Sequence, residues 1–145
     1  MADNDEMFMR AALAEAHRAG DEGEIPIGAV VVCGGRIVGR GHNMVESLCD
    51  ATAHAEMQAL TAAMNTLGGK YLSSCTLYVT VEPCTMCASA SMWAQVGRIV
   101  YGAGDNKRGY SRLSDNILHP RTVVVKGVLE EECAALMTAF FEKLR

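Results

Sequence analysis

The stretch 51-ATAHAE-56, read together with 81-VEPCTMC-87, decides how this chain is organised. His54 offers an imidazole and Glu56 a carboxylate two positions later, whereas Cys84 and Cys87 offer two thiolates in a C-x-x-C step. One histidine and two cysteines are three ligands that suit zinc, and a catalytic zinc site keeps its fourth position for water. The two segments therefore predict an open, hydrolytic metal site in which Glu56 is free to move protons.

Each segment alone also has a simpler explanation. C-x-x-C occurs as a redox motif or by chance, and His54 with Glu56 would suit a helix start without a metal. The combination favours the metal, because Pro83 precedes Cys84 and both segments stand at predicted helix starts. Zinc would lower the pKa of a bound water to about 7. Glu56 would then carry protons while water adds to an amidine carbon and ammonia leaves.

Composition predicts one globular domain spanning residues 1–145. Half of the residues are hydrophobic and 21% are charged, which is ordinary for a folded chain and unlike a disordered one. The longest apolar runs, such as 27–33, are too short to cross a bilayer. The first ten residues are acidic and lack the basic-then-apolar order of a secretory signal. We therefore expect a cytoplasmic protein without a membrane partner.

The remaining cysteines are expected to be buried small hydrophobes. A reducing compartment disfavours disulfides, and these four positions are scattered along the chain. They are Cys33, Cys49, Cys75 and Cys133.

Charge is distributed unevenly along the chain. The formal net charge of −4 argues mildly against a nucleic-acid partner. Residues 98–126, however, carry six lysines and arginines against two aspartates. Such a run is more often a solvated surface than a binding patch.

Hydrophobic periodicity and turn signals predict an α/β fold. We expect helices at 5–19, 53–65, 84–95 and 129–144, and strands at 29–33, 36–40, 75–81, 98–101 and 122–126. Residue types that favour helix starts predict caps at Asp3 or Asn4 for the first helix, and at Asp50 or Thr52 for the second. Residues 102–121 are expected to be irregular. This order implies a three-layer α/β/α sandwich around a mixed five-stranded sheet.

Two polar residues follow the second predicted strand. The amide of Asn43 could both donate to and accept from a base edge, but a turn residue that satisfies local backbone is an equally good interpretation. His42 has no partner at a recognisable metal-ligand step, so we expect a surface or supporting histidine.

Taken together, these segments resemble the bacterial tRNA-specific adenosine deaminases of the zinc-dependent cytidine deaminase superfamily. Further matching segments are 25-IPIGA-29, Asn43, 77-LYVTVEPCTMC-87, 102-GAGD-105 and 131-EECAAL-136. The resemblance implies a cytidine deaminase-like sandwich with one zinc ion per subunit at His54, Cys84 and Cys87, and Glu56 as the proton shuttle.

The resemblance also implies roles at the substrate. Asn43 would contact the base, whereas Asp105 would contact RNA. The walls of the base pocket would include Ile27, Ala29 and Val81. The family is typically a homodimer, with RNA crossing the subunit interface.

The implied function is hydrolytic deamination of adenosine to inosine at the wobble position of a tRNA anticodon, with the anticodon stem-loop as partner. The chain departs from the family at Met44, where Arg is common, at Ala51, where Pro is usual, and in a shorter 109–123 region. An acidic pI of about 5.5 and the lack of a long basic tail leave a free purine such as guanine as an alternative substrate. A non-catalytic binding module that contains zinc is a second alternative, against which the intact Glu56 argues.

Overall fold

A computed structural model describes residues 2–144 of the chain. The helices are α1 (Ala2–Asp21), α2 (Val45–Leu48), α3 (Ala55–Leu67), α4 (Thr85–Trp93) and α5 (Glu130–Lys143), and a 3-10 turn covers Tyr110–Arg112. The strands are β1 (Gly28–Cys33), β2 (Arg36–His42), β3 (Cys75–Val81), β4 (Arg98–Ala103) and β5 (Val123–Lys126).

The five strands form one mixed sheet in the order β2-β1-β3-β4-β5. β1 runs antiparallel to both β2 and β3, whereas β3, β4 and β5 run parallel to one another. Gly34 and Gly35 close the β1–β2 hairpin with φ values of 60° and 76°, which glycine adopts without a steric penalty. The predicted mixed five-stranded sheet is confirmed.

Helices cover both faces of this sheet. Apolar residues of α1 and α5 pack with alternate residues of β1, β3 and β4, and residues of α3 and α4 pack with the other set. The first cluster includes Phe8, Met9, Val30, Val32, Tyr78, Val100 and Cys133, and the second includes Val31, Ala59, Leu60, Leu77, Val79, Ala88 and Ile99. The two sets alternate because successive strand residues point to opposite faces. The arrangement is the predicted α/β/α sandwich.

Several helix starts differ from the sequence-based expectation. α1 already includes Asp3 and Asn4, so neither caps it. An acidic first turn is compatible with the positive end of the helix dipole. His54 occupies the N-cap position of α3, because the carboxylate of Asp50 is engaged in a local turn with the amide and hydroxyl of Thr52. The four-residue helix α2 was not predicted.

The cysteines follow the expectation only in part. All six are free thiols. Cys75 and Cys133 are buried, as predicted, and Cys33 is half-buried. Cys49 is exposed, which contradicts the prediction, because it ends α2 with a left-handed backbone at the surface. None of the helices described within residues 2–144 combines the length and apolar character needed to cross a membrane.

Candidate active site

Three side chains converge at one end of the sheet. Nδ1 of His54 lies 3.6 Å from the sulfur of Cys84 and 3.5 Å from that of Cys87. Among the residues that the structure describes, these three form a group whose ligand atoms all lie within 4.8 Å of one another. Tetrahedral zinc with Zn–S bonds of about 2.3 Å and Zn–N bonds of about 2.0–2.1 Å would place sulfur and nitrogen about 3.6 Å apart. The donor set and its spacing therefore fit zinc.

Two helix starts present these ligands. His54 and Cys84 are the N-cap residues of α3 and α4, and both have extended backbones with ψ values of 155° and 174°. β3 ends at Val81, and Pro83 breaks the strand so that α4 can begin. Because α3 and α4 cover the same face of the sheet, their N-termini bring residues 30 positions apart into contact.

The pKa values of the two cysteine thiols are shifted in opposite directions. Donation from the Cys87 thiol, together with His54, lowers the pKa of Cys84 to about 4. The same pairing, followed by burial, raises the pKa of Cys87. The hydrogen bond to Cys84 raises the pKa of His54 despite its partial burial. Zinc would hold both sulfurs as thiolates.

Glu56 lies in the first turn of α3, two residues after the histidine ligand. Its side chain is buried, with 4% of its surface exposed. This desolvation raises the pKa of Glu56 to about 7, and the carboxylate also faces the Cys87 thiol. A carboxyl group with such a pKa can both take and give a proton near neutral pH.

Residues 2–103 match the family model of the cytidine and deoxycytidylate deaminase zinc-binding region. This chain belongs to the cytidine and deoxycytidylate deaminase family. A tRNA-specific adenosine deaminase of Bacillus subtilis is 45% identical over 97% of this chain and 91% of its own length.

Solved structures agree with this assignment. A chain from a study of A-to-I editing by tRNA:A34 deaminases at the wobble position of transfer RNA superposes with a TM-score of 0.84, at 42% identity, over 90% of this chain and 98% of that one. A guanine deaminase from Bacillus subtilis gives a TM-score of 0.65, at 40% identity, over 68% of this chain and 64% of that one. The chain is thus a zinc-dependent hydrolytic deaminase.

Asn43 and Ile27 lie together beside the ligands of the deaminase. The backbone amide of Asn43 donates to the carbonyl of Ile27 at 3.1 Å, and the next amide, of Met44, donates to Ala53, the neighbour of His54. Asn43 is buried, with 6% exposure. Its role as a base contact stays a prediction.

The other residues that are expected to contact the substrate differ in their burial and in their position in the deaminase. Val81 ends β3, three residues before Cys84, and is 4% exposed. Ala29 is completely buried and belongs to the core between the sheet and α3. Asp105 lies in the loop after β4, where its carboxylate accepts hydrogen bonds from the amides of Lys107 and Arg108 at 3.0 Å. Their roles as substrate contacts stay predictions.

His42 is a buried residue with two acidic partners. Its ring nitrogens lie 3.5 Å from Oε1 of Glu15 and 3.0 Å from Oε1 of Glu22, and it is only 7% exposed. A surface position is therefore wrong, and the ring links β2 to α1 instead. No local sequence pattern indicates this contact, because the three residues share no recognisable spacing.

The deaminase also contains a residue that sequence reasoning overlooked. Glu82, directly before Pro83, is 7% exposed and reaches the loop that follows β4. That loop contacts the ligand segment through a bridge between Cys84 and Gly109 and a hydrogen bond from the amide of Tyr110 to the Pro83 carbonyl. A glutamate adjacent to a ligand motif was the only signal that could have drawn attention to it.

Proposed function

We propose that this chain hydrolytically deaminates adenosine to inosine at the wobble position of a tRNA anticodon. The observation that carries the proposal is an intact His54, Cys84, Cys87 and Glu56 site in a chain that is 45% identical, over nearly its whole length, to a protein named as a tRNA-specific adenosine deaminase.

The residues divide the chemistry between them. Zinc would be held by His54, Cys84 and Cys87 and would supply a Lewis acid that lowers the pKa of water. Glu56 takes a proton from the attacking water and delivers it to the ring nitrogen of adenine as oxygen bonds to C6. Glu56 then takes the proton of the new C6 hydroxyl group and delivers it to the amino group, so that the C6–N bond breaks and ammonia leaves a carbonyl at C6. The balance is adenosine plus water to inosine plus ammonia.

Burial of Glu56 favours this role. Because its carboxyl group is shielded from solvent on the first turn of α3, a captured proton is retained for the substrate instead of exchanging with bulk water. Asn43, on the neighbouring segment, would donate to and accept from the base edge through its side-chain amide.

The buried position of Glu56 limits which bases can reach the site. A base within a duplex cannot reach a buried carboxylate, whereas a base in a single-stranded loop can be splayed out. Exposed Lys107, Arg108 and Arg112 border this end of the sheet and would meet backbone phosphates. Because tRNA is the proposed substrate, we also propose a cytoplasmic location.

We further propose that the chain acts as a homodimer. Trp93, at the end of α4, leaves 74% of its surface exposed, which is unusual for a large aromatic side chain on a helix that carries two metal ligands. Sedimentation or light scattering should report a dimer, and Trp93→Glu should shift it toward the monomer. A monomeric wild-type chain at micromolar concentration would refute the dimer.

A substrate panel on the zinc-loaded protein tests the function. The panel compares inosine formation in an anticodon stem-loop carrying adenosine at the wobble position with ammonia release from guanine, adenine and cytidine. We expect turnover of the stem-loop, and none when guanosine replaces that adenosine. Activity on free bases alone would refute the proposed substrate.

Guanine is the second candidate substrate. The 40% identity to a guanine deaminase and the acidic pI favour it. Free guanine needs no phosphate contacts, so its turnover would be insensitive to salt, whereas turnover of RNA would fall steeply with salt. A non-catalytic module is the remaining alternative, and a zinc-loaded wild type that turns over no substrate of the panel would support it.

A further inference from the structure

Glu82 has three hydrogen-bond donors around one buried carboxylate. Oε1 accepts from the backbone amide of Asp105 at 3.1 Å. Oε2 accepts from the amide of Ser111 at 3.1 Å and from its hydroxyl at 2.6 Å. A buried carboxylate is costly unless it is bonded in this way, and bonds to an ionised acceptor are stronger than neutral ones. Glu82 therefore ties together the two ends of the segment 105–111.

The segment 105–111 is fitted closely around this carboxylate. A Cβ on Gly109 would lie 2.4 Å from the carboxyl carbon of Glu82, so a side chain at that position cannot be accommodated without a shift. The same segment is joined to the ligand side by the Cys84–Gly109 bridge and by the Tyr110–Pro83 hydrogen bond. Its position is thus set by residues that immediately precede or include a zinc ligand.

This segment carries two exposed cations. Lys107 and Arg108 are exposed, and their backbone amides are held by the Asp105 carboxylate. Arg108 directly precedes Gly109, which is bridged to the ligand Cys84. If the segment moved, these two cations would move relative to the base pocket, while the zinc ligands and Glu56 would stay in place on α3 and α4.

We propose that Glu82 is a positioning residue, whose bonds to Asp105 and Ser111 hold Lys107 and Arg108 where the phosphates of an RNA substrate pass the site. The inference rests on the proposed function, because it takes RNA as the anionic partner. A carboxylate is required at this position because all three partners are donors. The amide of a glutamine would turn an NH₂ group toward another N–H.

The test compares Glu82→Gln with wild type on an anticodon stem-loop across a range of salt concentrations. We expect KM to rise about tenfold while kcat changes less than about twofold, because bonds to a charged group are lost outside the reacting centre. The slope of log(1/KM) against log salt should fall by about one to two units, one for each cation displaced from a phosphate. Zinc content should be unchanged.

Two controls separate positioning from mere loss of stability. Asp5→Asn removes another buried carboxylate, on α1, and should lower the melting temperature without changing KM or the salt slope. Ser111→Ala removes only the 2.6 Å bond and should raise KM about threefold, whereas Ser114→Ala, three residues further on, should not. Ser111→Ala also decides the question if Glu82→Gln does not fold.

The outcomes distinguish the two proposals. A wild-type enzyme that deaminates no RNA overturns the proposed function and, with it, this inference. An active wild type with unchanged KM and salt slope in both Glu82→Gln and Ser111→Ala overturns the inference alone. An equal loss of kcat and zinc in Glu82→Gln would also overturn it, since Glu82 would then support the metal site instead of the RNA.

Discussion

Replacing Gly41 with alanine should damage the active site from the far side of α3. Gly41 lies on β2, directly beneath the start of that helix. A Cβ at this position would lie 2.2 Å from the carbonyl oxygen of Ala55 and 2.6 Å from the amide of Ala59. Both obstacles are backbone atoms, so no side chain can rotate away to relieve the contact.

The required displacement can be worked from these distances. An ordinary contact for a Cβ begins at 3.4 Å, so the Ala55 carbonyl must retreat by about 1.2 Å, in a core packed too densely to absorb the change. Ala55 stands between the ligand His54 and the proton shuttle Glu56. A misplacement of about 1 Å in catalytic groups can cost about 100-fold in rate. Overpacking of this kind costs about 1–3 kcal/mol of folding stability.

The assay measures kcat/KM on the anticodon stem-loop, bound zinc and the melting temperature of Gly41→Ala. We expect a loss of about 100-fold in kcat/KM, and a melting temperature lower by about 5–10 °C. Gly69→Ala is the matched control, because a Cβ there meets nothing within 4 Å and its φ is not positive. Wild-type activity and stability in Gly41→Ala would refute the packing that we describe between β2 and α3.

Three further outcomes are expected. Glu56→Gln keeps the shape of the side chain but cannot shuttle a proton, so kcat should fall by about 10²–10⁴-fold with zinc still bound, and an active variant would refute the role of Glu56. Cys87→Ser should lose both zinc and thermal stability, and chelation of the wild type should abolish an activity that added zinc restores; a stable, fully active, zinc-loaded variant would contradict the ligand set. Asp5→Asn should cost about 2 kcal/mol at pH 7, because it weakens charge-assisted hydrogen bonds with the partly buried Arg98. Since Arg98 lowers the pKa of Asp5 from 3.8, the stabilisation exists above that value and is lost as pH falls through the lower native pKa, so the unfolding free energies of variant and wild type should converge in acid.

The predictable parts of the fold are those whose structure follows from residues close together in the sequence. β3 has the bounds expected from its apolar run, because a central strand that is buried on both faces has little tolerance for polar residues. The β1–β2 hairpin follows from two adjacent glycines that supply positive φ. The ligand triad could be anticipated for a similar reason, since the C-x-x-C step and the H-x-E step each place their groups within one helical turn.

The features that were not predictable arise either because two local hydrogen-bonding patterns compete or because the partners lie far apart in the sequence. Asp50 and Thr52 have the right chemistry for a helix cap, but they bond to each other in a turn, and α3 begins later, at Ala55. Glu82 reaches partners 23 and 29 positions away, in a segment without hydrophobic periodicity. No local pattern could indicate that contact. Likewise, nothing in the sequence around Cys49 indicates that this residue is exposed.

The same use of a buried glutamate occurs on the other side of the site. Glu24, 1% exposed, accepts hydrogen bonds from the amides of Glu46 and Ser47 and from the Ser47 hydroxyl, and so fixes the segment between Asn43 and His54. Glu82 fixes the segment 105–111 in the same way. The reaction depends on helix starts that pack against the sheet, whereas under the proposed function the substrate would meet loops held by single carboxylates. Changes in these loops can therefore alter substrate choice without disturbing the zinc ligands, which is why the ligand motif alone predicts deamination but not the base or the RNA that undergoes it.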